Sequence, residues 1–289
     1  MSGSTAGEGT VVRRLARIAL TYVALVSLSC VFLLPVAWML SSSLHDAASV
    51  FEQPFRWVPI PPRWETYARA VTVFPFGRSL LNTLAVAVPY TVGMVVSSAL
   101  VAYGFARLRF PARDFLFSVC LATMMLPGQV TMIPLYMLFS RLGWVDTFLP
   151  LIIPGFFGSP FSIFLLRQFF LTIPTDCDEA ALLDGAGRLR VFWSVVLPQA
   201  KPALVTVALF AFIGSWNDFF GPLIYLNSPE RATLTLGLNM MKTQIVGAGT
   251  VEWNTLMAAS LLVMLPNVIL FFAAQKHFIR GIAAGSFVS

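Results

Sequence analysis

Charge is scarce in this sequence. Lys, Arg, Asp and Glu make up only 11% of the 289 residues, against about 25% in soluble globular domains. So few charges cannot clothe a soluble surface of this size, and with 57% of residues hydrophobic a lipid-facing surface is the simplest explanation. Histidine is scarcer still: His45 and His277 are the only two. There is no H-E-x-x-H and no pair of carboxylates inside an apolar run, which argues against an intramembrane enzyme. A G-x-x-x-x-G-K-[ST] phosphate loop is also missing, so the chain carries no ATPase motif of its own. The three cysteines, Cys30, Cys120 and Cys177, are widely spaced and odd in number, which gives neither a disulfide framework nor a metal site. No cleavable signal peptide is expected, because the first apolar run is too long for one and no small-residue cleavage site follows it.

What the sequence has in abundance is long apolar runs. A membrane-spanning helix needs about 20 mainly apolar residues. Six runs qualify, roughly 18–40, 80–105, 115–138, 147–166, 203–225 and 255–275. Only the fifth holds an Asp, Glu, Lys or Arg, namely Asp218 near one end. Helices are expected, since in lipid each segment must satisfy its own backbone groups, and no period-2 alternation marks barrel strands. The net charge of +6 then sets topology and leaves no nucleic-acid footprint to explain. With the N-terminus inside, 12 of the 19 Lys and Arg fall on the cytoplasmic side and 7 outside, as the positive-inside rule requires. The expectation is an all-α integral membrane protein with six transmembrane helices and both termini cytoplasmic. A tail at 1–17 precedes a membrane domain at 18–275, and a second tail covers 276–289. Residues 1–10, rich in Ser, Gly and Thr, are expected to be unstructured.

The outer loops differ. The first, about 41–79, is long and broken by Pro54, Pro59, Pro61 and Pro62; Trp57, Trp64 and Tyr67 suit a membrane interface. The last, about 226–254, contains Gly237, Gly247 and Gly249 and reads either as an adaptable loop for a partner or as a solvated connector.

The segment between the fourth and fifth runs, 174–202, has more local structure than a connector needs. Pro174 stops what precedes it. Thr175 with Asp178 gives a helix start signal, and Asp176 and Glu179 add charge of the favourable sign to the first turn. A short helix follows to Asp184, and Gly185 supplies the left-handed residue that ends it. A second helix is expected from Arg188 to Leu197, with Leu189, Phe192, Trp193 and Val196 in one apolar stripe. Ala180 and Ala181 are small enough to let a helix enter a narrow cleft, and Glu179 offers a carboxylate to a basic partner. The alternative is an amphipathic helix lying on the headgroups, although only Arg188 and Arg190 would serve its polar face.

The run Glu179-Ala180-Ala181, then Asp184-Gly185-Ala186, Phe192, Leu197-Pro198 and Pro202 resembles the EAA loop of bacterial ABC-importer permeases. Ser215-Trp216-Asn217-Asp218 and the tail Phe278-Ile279-Arg280-Gly281 with Gly285 resemble the carbohydrate-uptake branch, nearest its six-span maltose-type permeases. The chain departs from them at its end, where Phe287-Val288-Ser289 replaces a frequent Val-Lys-Gly. The resemblance implies a type I ABC-importer permease fold in the bacterial cytoplasmic membrane. It implies a second permease, two ATPase subunits and an extracytoplasmic sugar-binding protein as partners, with ATP and Mg held by the ATPases and no cofactor on this chain. Glu179, Ala180, Ala181, Asp184, Gly185 and Ala186 would form the ATPase-coupling helix, and the 226–254 loop, with Gly247 and Gly249, would touch the binding protein.

A sugar path needs hydrogen-bonding and aromatic groups within spans. Asn82, Tyr90, Gln129 and Asn217 are the candidates, the amides because they are costly in lipid unless they face protein or water. Ser97, Ser98, Thr123, Thr131, Ser159 and Ser162 fit a path or ordinary helix–helix glue. Pro127 with Gly128, and Pro134, mark a kink or broken helix. Met124, Met125, Met132 and Met137 read as apolar filler. Asp218 reads as a helix-end anchor, or else as a proton relay in a secondary transporter, for which no internal repeat or paired charge is found. An ABC permease for a non-sugar solute is the remaining alternative.

Overall fold

A computed structural model of the protein describes residues 5–52, 54–73, 75–247 and 252–285. Every regular element among the described residues is helical. In chain order these are α1 (Thr5–Ser43), α2 (Glu65–Val73), α3 (Phe76–Arg107), α4 (Arg113–Ala122), α5 (Gly128–Arg141), α6 (Leu149–Ile152), α7 (Pro160–Thr172), α8 (Asp176–Leu183), α9 (Arg188–Val191), α10 (Leu197–Gln199), α11 (Lys201–Trp216), α12 (Phe220–Tyr225), α13 (Leu234–Gly247) and α14 (Trp253–Gly285). The chain divides into two compact units, one of Met1–Val73 with Gln244–Leu261, the other of Phe74–Thr243 with Leu262–Ser289.

In the first unit α1 includes residues 5–10, which the composition predicts to be unstructured. Leu20, Val26, Phe32 and Leu33 on this helix are all more than half exposed, an apolar surface that suits lipid and not water. The segment after α1 is ordered by its aromatic residues. Trp38 packs on Phe51 and Phe55, and the buried His45 stacks on Phe55. Asn254 donates to the His45 carbonyl at 3.0 Å, and Arg69 pairs with Glu252.

The second unit is built on α3. Ala99, Ala102 and Tyr103 of α3 form a buried cluster with Ile163, Leu166 and Phe170 of α7, Phe192 and Val196, and Ala203 and Val207 of α11. Small residues let these helices approach closely. A Cβ added to Gly93 would meet the Phe156 ring at 2.6 Å, and one added to Gly155 would meet the Tyr90 carbonyl at 2.7 Å.

Among the described residues, four stretches are long and apolar enough to cross a membrane: Arg13–Ser43, Phe76–Arg107, Leu149–Thr172 and Trp253–Ala273. Two further stretches are bent pairs. Arg113–Met125 meets Gly128–Arg141 at 95°, and Arg188–Gln199 meets Lys201–Trp216 at 83°. The first break lies at Leu126, which is extended before Pro127, as a residue preceding proline prefers. Pro134 sits inside α5. The expected run 203–225 is likewise interrupted, because α11 stops at Trp216 and α12 resumes only at Phe220.

The stretch expected to be a loop at 226–254 is mostly helical, since α13 occupies Leu234–Gly247. Leu234 and Met241 on it are fully buried, so apolar burial overrides its glycine content. The tail expected from 276 continues α14 as far as Gly285. Gly249 and Phe287-Val288-Ser289 lie outside the described residues.

Candidate functional site

The 174–202 segment folds as two short helical arms joined by a tight turn. Asp176, Asp178 and Glu179 stand in the first turn of α8, where carboxylates offset the partial positive charge of the helix end. The Thr175 hydroxyl does not cap this helix, contrary to its start signal, because Thr175 is itself in the helical region. Its carbonyl accepts the amides of Asp178 and Glu179 at 2.9 and 3.0 Å. The α8 helix ends in a Schellman turn. Gly185 takes φ +82°, its amide donates to the Leu182 carbonyl, and the Ala186 amide donates to the Ala181 carbonyl at 2.9 Å. This is the left-handed position expected of Gly185.

The outward and inward faces of α8 are distinct. Glu179 and Ala180 are exposed, and Leu183 is 89% exposed. Ala181, Leu182 and Ala186 pack instead against the buried cluster around α3 and α7. Of the two alanines expected to enter a partner, only Ala180 is presented outward. Asp184 and Gly185 are exposed at the turn.

The second arm runs from Arg188 to Gln199 and contains one wide π turn, Phe192–Val196. The expected apolar stripe does not form as a unit. Phe192 and Val196 are buried, together with Val191, whereas Leu189 is 63% and Trp193 50% exposed. The Leu197 amide reaches back five residues to the Phe192 carbonyl. The extra residue in that turn rotates the side chains away from a 3.6-residue period. It directly precedes Pro198, which has no amide to donate.

Both arms are held by one face of α3. Tyr103 and Arg107 are four residues apart and so lie one above the other. The Tyr103 hydroxyl donates to the Arg188 carbonyl at 3.2 Å, and its ring packs on Phe192. The Arg107 guanidinium faces the Asp178 carboxylate, Nε to Oδ2, at 3.3 Å, and its Nη2 donates to the Ile173 carbonyl at 2.6 Å. The two side chains are 5% and 7% exposed. Sequence reasoning does not single out Tyr103, Arg107 or this use of Asp178. The available signal is a Tyr and an Arg at i, i+4 where an apolar run ends.

The four residues expected on a translocation path are not brought together. Asn82 donates to the carbonyls of Glu230 and Ala232 at 2.9 and 3.0 Å, tying α3 to the segment before α13. Asn217 follows the end of α11, donates to the Ile213 carbonyl at 2.9 Å and accepts from Asn267 at 3.0 Å. Gln129 is exposed in the first turn of α5. Tyr90 alone lines a cavity of about 320 Å³, with Thr83, Leu151, Ser215, Asp218 and Thr233 among its other walls. Asp218 also caps α12, accepting the Gly221 amide at 3.1 Å. Ser98 accepts the Ser159 amide at 3.3 Å and joins α3 to the start of α7 as helix–helix glue.

The segment that opens 226–254 is pinned by a residue that sequence reasoning also passes over. The Asp146 carboxylate accepts the amides of Asn227 and Ser228 at 3.0 and 2.9 Å and the Ser228 hydroxyl at 2.5 Å, and Arg231 lies at 3.5 Å. Gly247 is the last residue of α13.

Residues 94–284 match the sequence profile of the family described as "Binding-protein-dependent transport system inner membrane component". The chain belongs to this family. The permease is 34% identical over 263 residues to a probable ABC transporter permease protein of Pyrococcus horikoshii, covering 90% of this chain and 94% of that one. It is 34% identical over 248 residues to the sn-glycerol-3-phosphate transport system permease protein UgpE of Yersinia pestis, covering 84% and 87%. It is 32% identical over 270 residues to the diacetylchitobiose uptake system permease protein NgcG of Streptomyces coelicolor, covering 93% and 88%. Among solved structures, a chain of a bacterial ABC transporter involved in the import of the acidic polysaccharide alginate superposes with a TM-score of 0.80. The two are 27% identical, and the match covers 92% of this permease and 97% of that chain. The permease is thus an ABC-importer subunit, a multi-pass membrane protein and a transport component rather than a catalytic enzyme.

Proposed function

We propose that this permease forms half of the translocation path of an ATP-driven, binding-protein-dependent sugar importer in the bacterial cytoplasmic membrane, and that it couples to a separate ATPase dimer through 174–202. The observation that carries the reading is the geometry of α8. Its outward face of Glu179, Ala180 and Leu183 is exposed among the described residues, while its inward face is fastened to α3 and the end of α7. A rigid, small-residue knob fixed to spanning helices is the form a mechanical lever requires.

In the proposed arrangement the chain crosses the membrane six times, with both termini and 174–202 on the Lys- and Arg-rich cytoplasmic side; the four long apolar stretches, the bent pair of Arg113–Met125 and Gly128–Arg141, and the apolar helix Lys201–Trp216 support it. A second permease completes the path, and ATP and Mg are bound by the two ATPase subunits. Closure of the ATPase dimer moves α8, and the two permeases rock between inward-facing and outward-facing states, a two-state element biased from both sides of the membrane. The binding protein delivers solute to the outer face, where the 226–247 segment is held in shape by Asp146. Tyr90, in the cavity with Ser215 and Asp218, offers an aromatic face and a hydroxyl of the kind a sugar path needs.

Carbohydrate is favoured as substrate because relatives are named for diacetylchitobiose uptake and alginate import. A phosphorylated polyol is the second reading, favoured by the sn-glycerol-3-phosphate relatives. The test is uptake into cells carrying the permease with its partner permease, binding protein and ATPase, using a panel of sugars and glycerol phosphates. Uptake is expected to fail on ATP depletion and to survive an uncoupler. The Glu179→Lys variant is expected to insert normally but to lose co-purification of the ATPase. Uptake that collapses with the uncoupler and persists without ATP would sink the reading.

A further inference from the structure

Arg107 stands where three pieces of the coupling apparatus meet. It is the last residue of α3, it faces Asp178 in the first turn of α8, and it donates to Ile173 just after α7. The guanidinium donates to a carbonyl at the negative end of a helix and faces a carboxylate as an ion pair. One turn back, Tyr103 holds the second arm through Arg188.

Burial of this pair is not explained by stability. Taking two charges out of water is costly, and apolar side chains of similar volume often hold a fold as well or better. What a buried pair adds is a defined relative position of the elements that bear it. Here those elements are the lever and the helix that lines the cavity, since α3 carries Arg107 at its end and Tyr90, Val86 and Thr83 in the cavity wall. Tyr90 and Arg107 are separated by roughly 25 Å of one continuous helix at 1.5 Å per residue. A rigid element with a charged fastening at one end and the cavity at the other is a physical route for coupling, beyond mere adjacency.

We infer that Arg107 is the positioning residue through which displacement of α8, fastened at Asp178, is transmitted along α3 to the cavity at Tyr90. This rests on the coupling role proposed above for 174–202. It differs from that role in assigning transmission to a buried ion pair that touches neither ATPase nor solute.

The test uses the assembled transporter in proteoliposomes and measures solute taken up per ATP hydrolysed. The apolar double variant R107M/D178L removes both charges together and so leaves no unpaired one. It is expected to assemble with an unchanged melting temperature. Its uptake per ATP is expected to fall by about tenfold or more, within the usual range of coupling between sites. The variant R107K/D178E, which keeps opposite charges in the slot, is expected to recover much of that ratio. Parental coupling in R107M/D178L would overturn the inference. So would failure of R107M/D178L to assemble while R107K/D178E assembles and couples normally, because the pair would then be structural. An unmutated permease that neither binds an ATPase nor transports with ATP would instead overturn the underlying reading of 174–202.

Discussion

The Ser228 hydroxyl donates to the Asp146 carboxylate at 2.5 Å and locks the segment after α12 onto the turn between α5 and α6. Asp146 adopts φ +61° to do so, a left-handed conformation that aspartate and asparagine tolerate better than most residues. The Ser228 hydroxyl, then its amide, hold the Asp146 carboxyl below its ordinary range, with Asn227 and Arg231 adding to the effect against a smaller opposing cost of burial.

That arrangement predicts a pH dependence. A carboxyl that binds protons less readily in the folded than in the unfolded state stabilises the fold above its unfolded pKa. The contribution is lost as pH falls through the lower folded value. Asp146→Asn keeps the shape and the left-handed tolerance but removes the charge. The variant is expected to melt below the parent at neutral pH, and the two curves are expected to converge as pH is lowered past the ordinary aspartate range. Thermal melting of the detergent-solubilised protein across that series checks it. A gap that stays constant with pH would show that the charge of Asp146 contributes nothing.

Gly185 is required for its backbone and not for space. Nothing lies within 4 Å of a Cβ built there, yet its φ is +82°. An L side chain in a left-handed position costs about 1–2 kcal/mol. Gly185→Val is expected to loosen the turn between the two arms and abolish solute-stimulated ATP hydrolysis while membrane insertion persists. Gly185→Asn should retain most of the activity, because asparagine visits this region readily. Equal loss in both variants would point to a requirement for the missing side chain itself.

Trp216, the last residue of α11, is 1% exposed and donates its indole N–H to the Val263 carbonyl at 3.2 Å. Removing so large a buried side chain costs about 3–5 kcal/mol. Trp216→Ala is therefore expected to reduce the folded yield severely. Trp216→Phe keeps one ring of the packing and loses the hydrogen bond, about 1 kcal/mol, together with the contacts of the second ring, so its loss is expected to be smaller than that of Trp216→Ala. Size-exclusion profiles and melting temperatures of the two variants distinguish the terms.

Gly155 permits a backbone approach that no other residue allows, since an added Cβ would stand 2.7 Å from the Tyr90 carbonyl oxygen. Gly155→Ala is expected to cost about 1–3 kcal/mol in overpacking and to displace Tyr90, lowering transport. Gly104→Ala, on the α3 helix that carries Tyr90 and with open space at its Cβ, is the control. It should be neutral or slightly stabilising, because alanine is the better helix former by about 1 kcal/mol. Comparable losses in the two variants would show that helix glycines matter here for a reason other than close packing.

Tyr90 itself is tested by filling the cavity. Tyr90→Trp enlarges a wall of a space of about 320 Å³ and is expected to slow uptake while leaving assembly with the ATPase unchanged. Uptake at the parental rate would remove this cavity from the path.

The sequence by itself determined the helical membrane character of the chain, because long charge-free runs and their Lys and Arg flanks are local properties. It also determined two breaks. Pro127 forces the preceding residue out of the helical region, and Gly185 supplies a left-handed turn, each through its own backbone chemistry. The motif around Glu179 and Ala180 carried the resemblance to the permease family to which the chain belongs. Only the tertiary structure decided which face of that segment is free. Ala181 turns inward, the expected stripe is broken because Leu189 and Trp193 are exposed while Val191, Phe192 and Val196 are buried, and 234–247 is a helix that buries Leu234 and Met241. The partnerships of Arg107 with Asp178 and of Asp146 with Ser228 belong to the same class. Each joins residues far apart in the chain, so no local periodicity or spacing encodes it, and it exists only once packing has brought the charged groups within reach.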